Sequence, residues 1–345
     1  MNPRPKKVAA GATLEPVKLA DVANAAGVAL ATASRALSNP NRVNAITRER
    51  VIEAAQKLGY SMNLAARNLR TGLSRIVLVV VPPWHSSDIL EATLRAVDAE
   101  LLRSGYSMIV GDLGEDLKAD PRMLEIARGG FVDGLLAIAN EPPLSGKLSI
   151  LSARLPAVGL MIDLSRHGVP SVVSDDRHAV FQLTKALLAA GRRRFMYVSG
   201  PRGGYHDVER FEGFQDALAE VPGLVRPLRF EGDWSYEAGA KAAEVYLKEK
   251  QRRDAVVCCN DRMAIAFVDG VRRAGVRIPE DVAVAGFDDI DGARFCQPSL
   301  TTIHQSIELL GASGARLLLQ RIRGTPPVGL EPVIVPSVLV RRETF

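Results

Sequence analysis

Cysteine is nearly absent from this chain. Cys258, Cys259 and Cys296 are the three in 345 residues, and none belongs to a C-x-x-C pair, so a disulfide framework is excluded and a reducing compartment is expected. Long apolar runs are missing too. No stretch approaches the roughly 18 apolar residues that a spanning helix needs, and the N-terminal MNPRPKKVAAGATLEP has charge but no apolar signal core. Both point to the cytoplasm. There is no G-x-S-x-G elbow, no Walker A loop, and no G-x-G-x-x-G after the first apolar run. His85, His167, His178, His206 and His304 are scattered, without catalytic or metal spacing. An α/β enzyme is not expected, and neither is a cofactor.

What is present is unevenly charged. Residues 1–75 hold 12 Lys and Arg against 4 Asp and Glu, while the remaining 270 hold 32 against 35. A basic N-terminal segment on a mildly acidic body suits contact with phosphates. Within it, Leu19, Val22, Ala23 and Ala26 form one helical stripe, and Gly27 marks a sharp turn. A second helix follows, with Leu30, Ala33 and Leu37 on one face and Ala31, Ser34, Arg35 and Ser38 on the other. Small Ala23, Gly27 and Ala33 sit where two helices cross closely in a helix-turn-helix, although an ordinary αα-hairpin has the same pattern. Asn44 is placed to cap a third helix, with Val51, Ala55 and Leu58 as its apolar face and Gly59 as its stop. The helix-capable NLAARNLRTG of residues 63–72 is too short to be stable alone.

From Arg75 the pattern changes. Continuous apolar runs at 76–81, 106–110, 134–139 and 157–162 alternate with helix-length segments such as 89–103, and a second set follows at 195–199, 255–260 and 282–287. Buried parallel strands read this way, and repeated βαβ units imply doubly wound sheets, here enough for two.

Several stretches together resemble the lactose/galactose repressor (LacI/GalR) family: KLADVANAAGVALATASRALS, RVNAITRERVIEAAQKLGY, AARNLRTG, RFEGF at 210–214, GDW at 232–234, NDRMA at 260–264, VRIPEDVAVAGFDD and PSLTTIHQ. The resemblance implies an α/β protein with a three-helix headpiece (1–62), a hinge helix and linker (63–74), and a two-lobed core like a periplasmic binding protein (75–345). The N-lobe is expected at about 75–173 plus 302–328, and the C-lobe at about 174–301 plus 329–345. It further implies a homodimer, or a dimer of dimers, on a near-palindromic operator, most simply as a repressor controlled by a small-molecule effector. An activator or corepressor-dependent regulator is the alternative within the family, and a cytoplasmic solute-binding module the alternative outside it.

The same resemblance assigns residues. Leu30, Ala31, Thr32, Ser34, Arg35, Arg42, Asn44 and Thr47 would meet DNA from the headpiece. Asn63, Ala66, Arg67 and Leu69 would enter the minor groove, with Leu69 as the wedge. The family's proline before the hinge helix is replaced by Met62. The effector would meet Trp84, His85, Ser87, Met161, Arg210, Trp234, Asn260 and Asp288. Met161 stands where sugar-sensing relatives often carry an aspartate, so simple hexose binding is in doubt, and the surplus of arginines suits an acidic sugar or carboxylate. Asp289 reads as structural, and a metal site made with Asp288 and Asp291 lacks further ligands. Alanines at 29 and 31 leave the second helix few base-reading groups, and Leu30 is assigned partly to the core, so specificity is expected from the hinge and the centre of the operator.

Overall fold

The computed structural model describes residues 17–38, 42–60, 72–81, 88–112, 125–127, 129–139, 155–325 and 329–345. The chain divides into two compact units, 1–74 and 75–345.

The first unit contains α1 (Leu19–Ala25), α2 (Leu30–Ser38) and α3 (Ala45–Lys57). Val22, Ala23 and Ala26 of the first helical segment pack with Ala33 and Ala36 of α2 and with Val51, Ala54 and Ala55 of α3. Alanine dominates this core because the helices cross closely. α1 ends in a Schellman motif: the amide of Gly27 donates to the Asn24 carbonyl at 3.1 Å and that of Val28 to Ala23 at 3.0 Å. Gly27 has φ +62°, a conformation in which any Cβ is strained. Asn44 caps α3 by accepting from the Ile46 amide at 2.8 Å. Leu58, expected in the apolar face, lies just past α3 and is exposed, and Ala54 takes its place.

The second unit begins with β1 (Ile76–Val81), α4 (Asp88–Arg103), β2 (Ser107–Asp112), β3 (Gly134–Ile138), β4 (Ala157–Leu160) and β5 (Ser171–Ser174). It continues through α5 (Asp176–Ala189), β6 (Phe195–Ser199), α6 (Tyr205–Ala219), β7 (Leu228–Glu231), α7 (Tyr236–Lys248), β8 (Ala255–Cys258), α8 (Asp261–Arg273), β9 (Ala283–Ala285) and α9 (Asp291–Phe295). The chain ends with β10 (Thr302–Gln305), α10 (Ile307–Ile322), β11 (Val333–Val335) and β12 (Ser337–Val340). One sheet has the order β11-β5-β4-β3-β1-β2 and another β7-β6-β8-β9. Every pairing within these two sheets is parallel.

The strands β1, β3, β4, β6 and β8 are buried on both faces, which is why they read as unbroken apolar runs. Two lobes result, and the chain crosses between them three times: from β5 to α5, from β10 to α10, and from β11 to β12. The expected lobe boundaries are corrected at the last two crossings. β10 pairs with β12 and is bridged to the end of the second sheet at Asp288 and His304, so 302–305 stays with the C-lobe. β11 pairs with β5, so 333–335 belongs to the N-lobe sheet. The sequence offers no cue for this swap, because these are three- and four-residue strands, and the partner of β11 lies over a hundred residues away.

Candidate nucleic-acid interface and interlobe site

In the headpiece, α2 turns Ala33 and Ala36 inward and leaves Ala31 and Arg35 exposed, with Thr32 and Ser34 half-buried. Leu30 is 54% exposed, which corrects its assignment to the core: Ala36, one turn beyond Ala33, fills the packing face instead. A leucine offered to water at the start of a helix among basic residues is suited to apolar contact with a thymine methyl. Ile46, 71% exposed near the start of α3, is a second apolar group of this kind that the sequence reading missed. Arg35 folds back, its Nε donating to the Ala31 carbonyl at 3.1 Å. Asn44 spends an acceptor on its cap, leaving its NH2 for other partners. Arg42 is exposed and Thr47 half-buried. Asn63, Ala66, Arg67 and Leu69, with all of residues 61–71, lie outside the described residues, as do Trp84, His85 and Ser87.

In the core, Arg210 on α6 is the hub. Its Nε donates to Asp176 Oδ2 at 2.8 Å and its Nη1 to the Cys259 carbonyl at 2.6 Å. The guanidinium lies 3.6 Å from the Phe287 ring centroid, and Nη1 is 3.8 Å from Asp288 Oδ1. Asp176, at the start of α5, also accepts from Ser174 Oγ and lies 2.8 Å from His206 Nδ1. Burial alone would raise the Asp176 pKa, but the charges of Arg210 and His206 and the bonds from His206 and Ser174 hold it well below the carboxylate range. Asp176, His206 and Ser174 carried no role in the sequence reading. They became legible only when the β5–α5 crossing was set beside α6.

Asp288 follows β9 with φ +118°. Its Oδ1 accepts from Gln305 Nε2 at 2.6 Å. Burial pushes its carboxyl up to about 7, against the pull of Arg210 and Gln305. Asp289 turns away to His304, at 3.0 Å, and to Arg342, and is structural. Asn260 caps α8, accepting from the Met263 amide at 3.0 Å, while its Nδ2 donates to the Trp234 carbonyl at 3.0 Å. It therefore fixes the loop that presents Trp234. The indole lies over Gly200, where any Cβ would collide with it. Met161 is buried in the N-lobe core, with its sulfur 3.5 Å from Thr93 Oγ1. Across the lobes, Asp88 lies 3.5 Å from Arg262, and Tyr205 packs on the apolar cluster of Leu155, Ile162, Leu164 and Val169.

A helix-turn-helix headpiece joined to two parallel α/β lobes, with polar groups converging beside three crossovers, defines a ligand-responsive DNA-binding protein. Residues 18–63 match the bacterial regulatory proteins of the lacI family, and residues 184–345 match the periplasmic binding protein-like domain. Over 309 residues the chain is 32% identical to the HTH-type transcriptional repressor CytR of Escherichia coli (strain K12), covering 88% of this chain and 89% of that protein. Over 304 residues it is 30% identical to the HTH-type transcriptional repressor PurR of Haemophilus influenzae (strain PittEE), covering 88% and 90%. The lac repressor dimer bound to operator and the anti-inducer ONPF matches with a TM-score of 0.86 at 26% identity, covering 96% of this chain and 99% of that one. The CelR–cellobiose complex matches at 0.71 and 28%, covering 95% and 100%. The chain belongs to the LacI family. It is an effector-controlled, DNA-binding transcriptional regulator.

Proposed function

We propose that this regulator is a cytoplasmic, homodimeric repressor that holds a near-palindromic operator until a small molecule enters the cleft between its core lobes and lowers its affinity for DNA. A dimer brings two copies of α2 to successive major grooves, which is the source of the palindrome. Leu30, Ala31, Thr32, Ser34, Arg35, Arg42, Asn44 and Thr47 are the headpiece residues assigned to DNA. Asn63, Ala66, Arg67 and Leu69 are assigned to the minor groove.

In the core, Arg210, Asp288 and Trp234 take the effector, with Asn260 positioning Trp234; Trp84, His85 and Ser87 are assigned to the effector by resemblance alone. The observation that carries this reading is the placement of the Arg210 network on the crossovers: Asp176 begins α5 straight after one of them, and Asp288 is bonded to Gln305, which precedes another. A ligand that rearranges these groups changes the strands on which the lobes pivot, and linkage then requires that the effector and the operator disfavour each other by one common factor. Selection of binding sites from random DNA, followed by footprinting with and without a ligand that stabilises the core, tests the reading. A sequence-specific footprint relieved by that ligand is expected. A footprint indifferent to every ligand that binds would refute effector control.

A further inference from the structure

The C-lobe sheet is parallel throughout, so the N-terminal ends of β6, β7, β8 and β9 share one edge, and α5, α6, α7 and α8 each run back to it. Gly200, Asn260 and Asp288 follow strand ends at the opposite edge, where the cleft lies. The four helix-to-strand connections, 190–194, 220–227, 248–254 and 272–282, hold 11 Lys and Arg against 5 Asp and Glu, whereas the rest of the 76–345 core holds 21 against 30. Hydrogen bonds join them into one surface. Arg253 Nη1 donates to the Arg226 carbonyl at 3.2 Å, the Arg193 and Arg194 amides donate to Asp254 Oδ1 at 3.0 and 2.8 Å, and Arg192 Nη2 donates to the Pro279 carbonyl at 2.6 Å.

Helix ends account for part of this charge. Each helix C-terminus carries about half a negative charge, so four amount to about two, and an excess of about four positive charges remains. That excess has identifiable carriers. The acids of the edge are taken by other cations: Asp254 by Arg194, Glu249 by Arg253, Asp281 by Arg277 and Glu220 by Lys185 of α5. Arg226, Lys248, Lys250 and Arg252 are exposed, and their side chains have no hydrogen-bonded or ion-paired partner among the described residues.

A surface of unmatched, flexible cations fits a polyanion. Val225 is the one large apolar side chain exposed on these connections, so the apolar anchors of a protein interface are missing, and lysine is depleted in such interfaces. Arginine and lysine heads without aromatic groups suit phosphates spaced along a backbone. Duplex DNA is the polyanion this regulator already holds, and other segments of the same molecule stand at high local concentration.

We propose that this edge of the C-lobe is a second, sequence-independent DNA-binding surface, on which Arg226, Lys248, Lys250 and Arg252 meet the phosphates of a further duplex segment while the headpiece holds the operator. The contact lies outside the cleft and needs no effector.

The test saturates the full chain with an unlabelled short duplex carrying its selected operator. Capture of a labelled duplex of unrelated sequence is then followed by fluorescence anisotropy between about 50 and about 200 mM salt, in wild type and in the quadruple variant Arg226→Gln, Lys248→Gln, Lys250→Gln, Arg252→Gln. Urea unfolding and operator affinity establish that the variant is folded with its headpiece intact. The expected result is capture of the second duplex by wild type at low salt, weakened about tenfold or more in the variant, with a salt slope shallower by about one for each cation removed and operator affinity unchanged. No capture by the wild type, capture of equal affinity and slope in the variant, or an equal loss of operator affinity overturns the proposal. Tighter binding of a polyglutamate peptide of matched charge overturns it too, making the surface a dock for acidic protein.

Discussion

Arg210 on α6 donates from Nε to Asp176 Oδ2 at 2.8 Å, so one helix of the C-lobe grips the residue at which the chain enters that lobe. Both side chains are buried. Removing the cation strands a buried carboxylate, which costs about 3–5 kcal/mol. Arg210→Ala should therefore lower the core's stability by about that much in urea unfolding, well beyond the loss of ligand contacts. Asp176→Asn, which keeps hydrogen bonds to Arg210 and His206, should cost less than Arg210→Ala. Equal and small losses in both would show that the pair is not holding the crossover.

Asp288 gives a pH signature. Its carboxyl sits at about 7 in the fold, above the value of about 3.9 in an unfolded chain. The folded protein thus keeps a proton that the unfolded chain has released, and stability falls as pH rises from about 4 to about 7, then levels. The groups facing it are Arg210, Gln305, Asp176 and Asp88. Asp176 has the opposite sign, its stabilisation being lost only in acid as its lowered pKa is approached. Between pH 5 and 8, the wild-type melting temperature should fall relative to that of Asp288→Asn. Parallel curves would place the raised pKa elsewhere.

In the headpiece, exposure and burial separate two outcomes. Leu30→Ala should weaken specific operator binding with little change in headpiece melting, because Leu30 is 54% exposed. Ala33→Leu should destabilise the headpiece by about 1–3 kcal/mol through overpacking, because Ala33 is fully buried among Val22, Ala23 and Val51. Melting followed by circular dichroism, beside gel shifts on specific and random DNA, distinguishes them. A large stability loss in Leu30→Ala would return that residue to the core.

Gly27→Ala should cost the headpiece about 1 kcal/mol, since φ +62° strains any residue with a Cβ. Nothing lies within 4 Å of the added methyl, so the loss is purely one of backbone conformation. Gly27→Asn should recover part of it, asparagine tolerating this region better. Equal losses for both variants would contradict this.

Much of this architecture was legible because long regular patterns carry it. The stripe of Leu19, Val22, Ala23 and Ala26, the turn at Gly27, the cap at Asn44 and the buried strands from Ile76 to Val81 and from Phe195 to Ser199 each follow from local rules. Strands outside an apolar run were not legible: Ser171–Ser174 and Leu228–Glu231 hold two polar residues each, whereas the equally short Ala157–Leu160 and Ala255–Cys258 sit in apolar runs. Leu30 misled because helical spacing places it with Ala33 and Leu37, although the helix has only just begun there and more than half of the residue is exposed. In the core, Arg210 and Asp288 were found through motif resemblance. Asp176 and His206 act through partners 30 or more residues away and Gln305 through one 17 residues away, and their chemistry exists only once the chain is folded.

The most direct test of the account is operator release. A site recovered by selection is bound by the full chain, and a ligand that stabilises the core is titrated into wild type and Asp288→Asn. The account predicts a near-palindromic site whose occupancy falls as the ligand saturates the wild type, while Asp288→Asn holds the site at the same ligand concentration. Absence of any sequence-specific site, or equal release of both proteins, would contradict it.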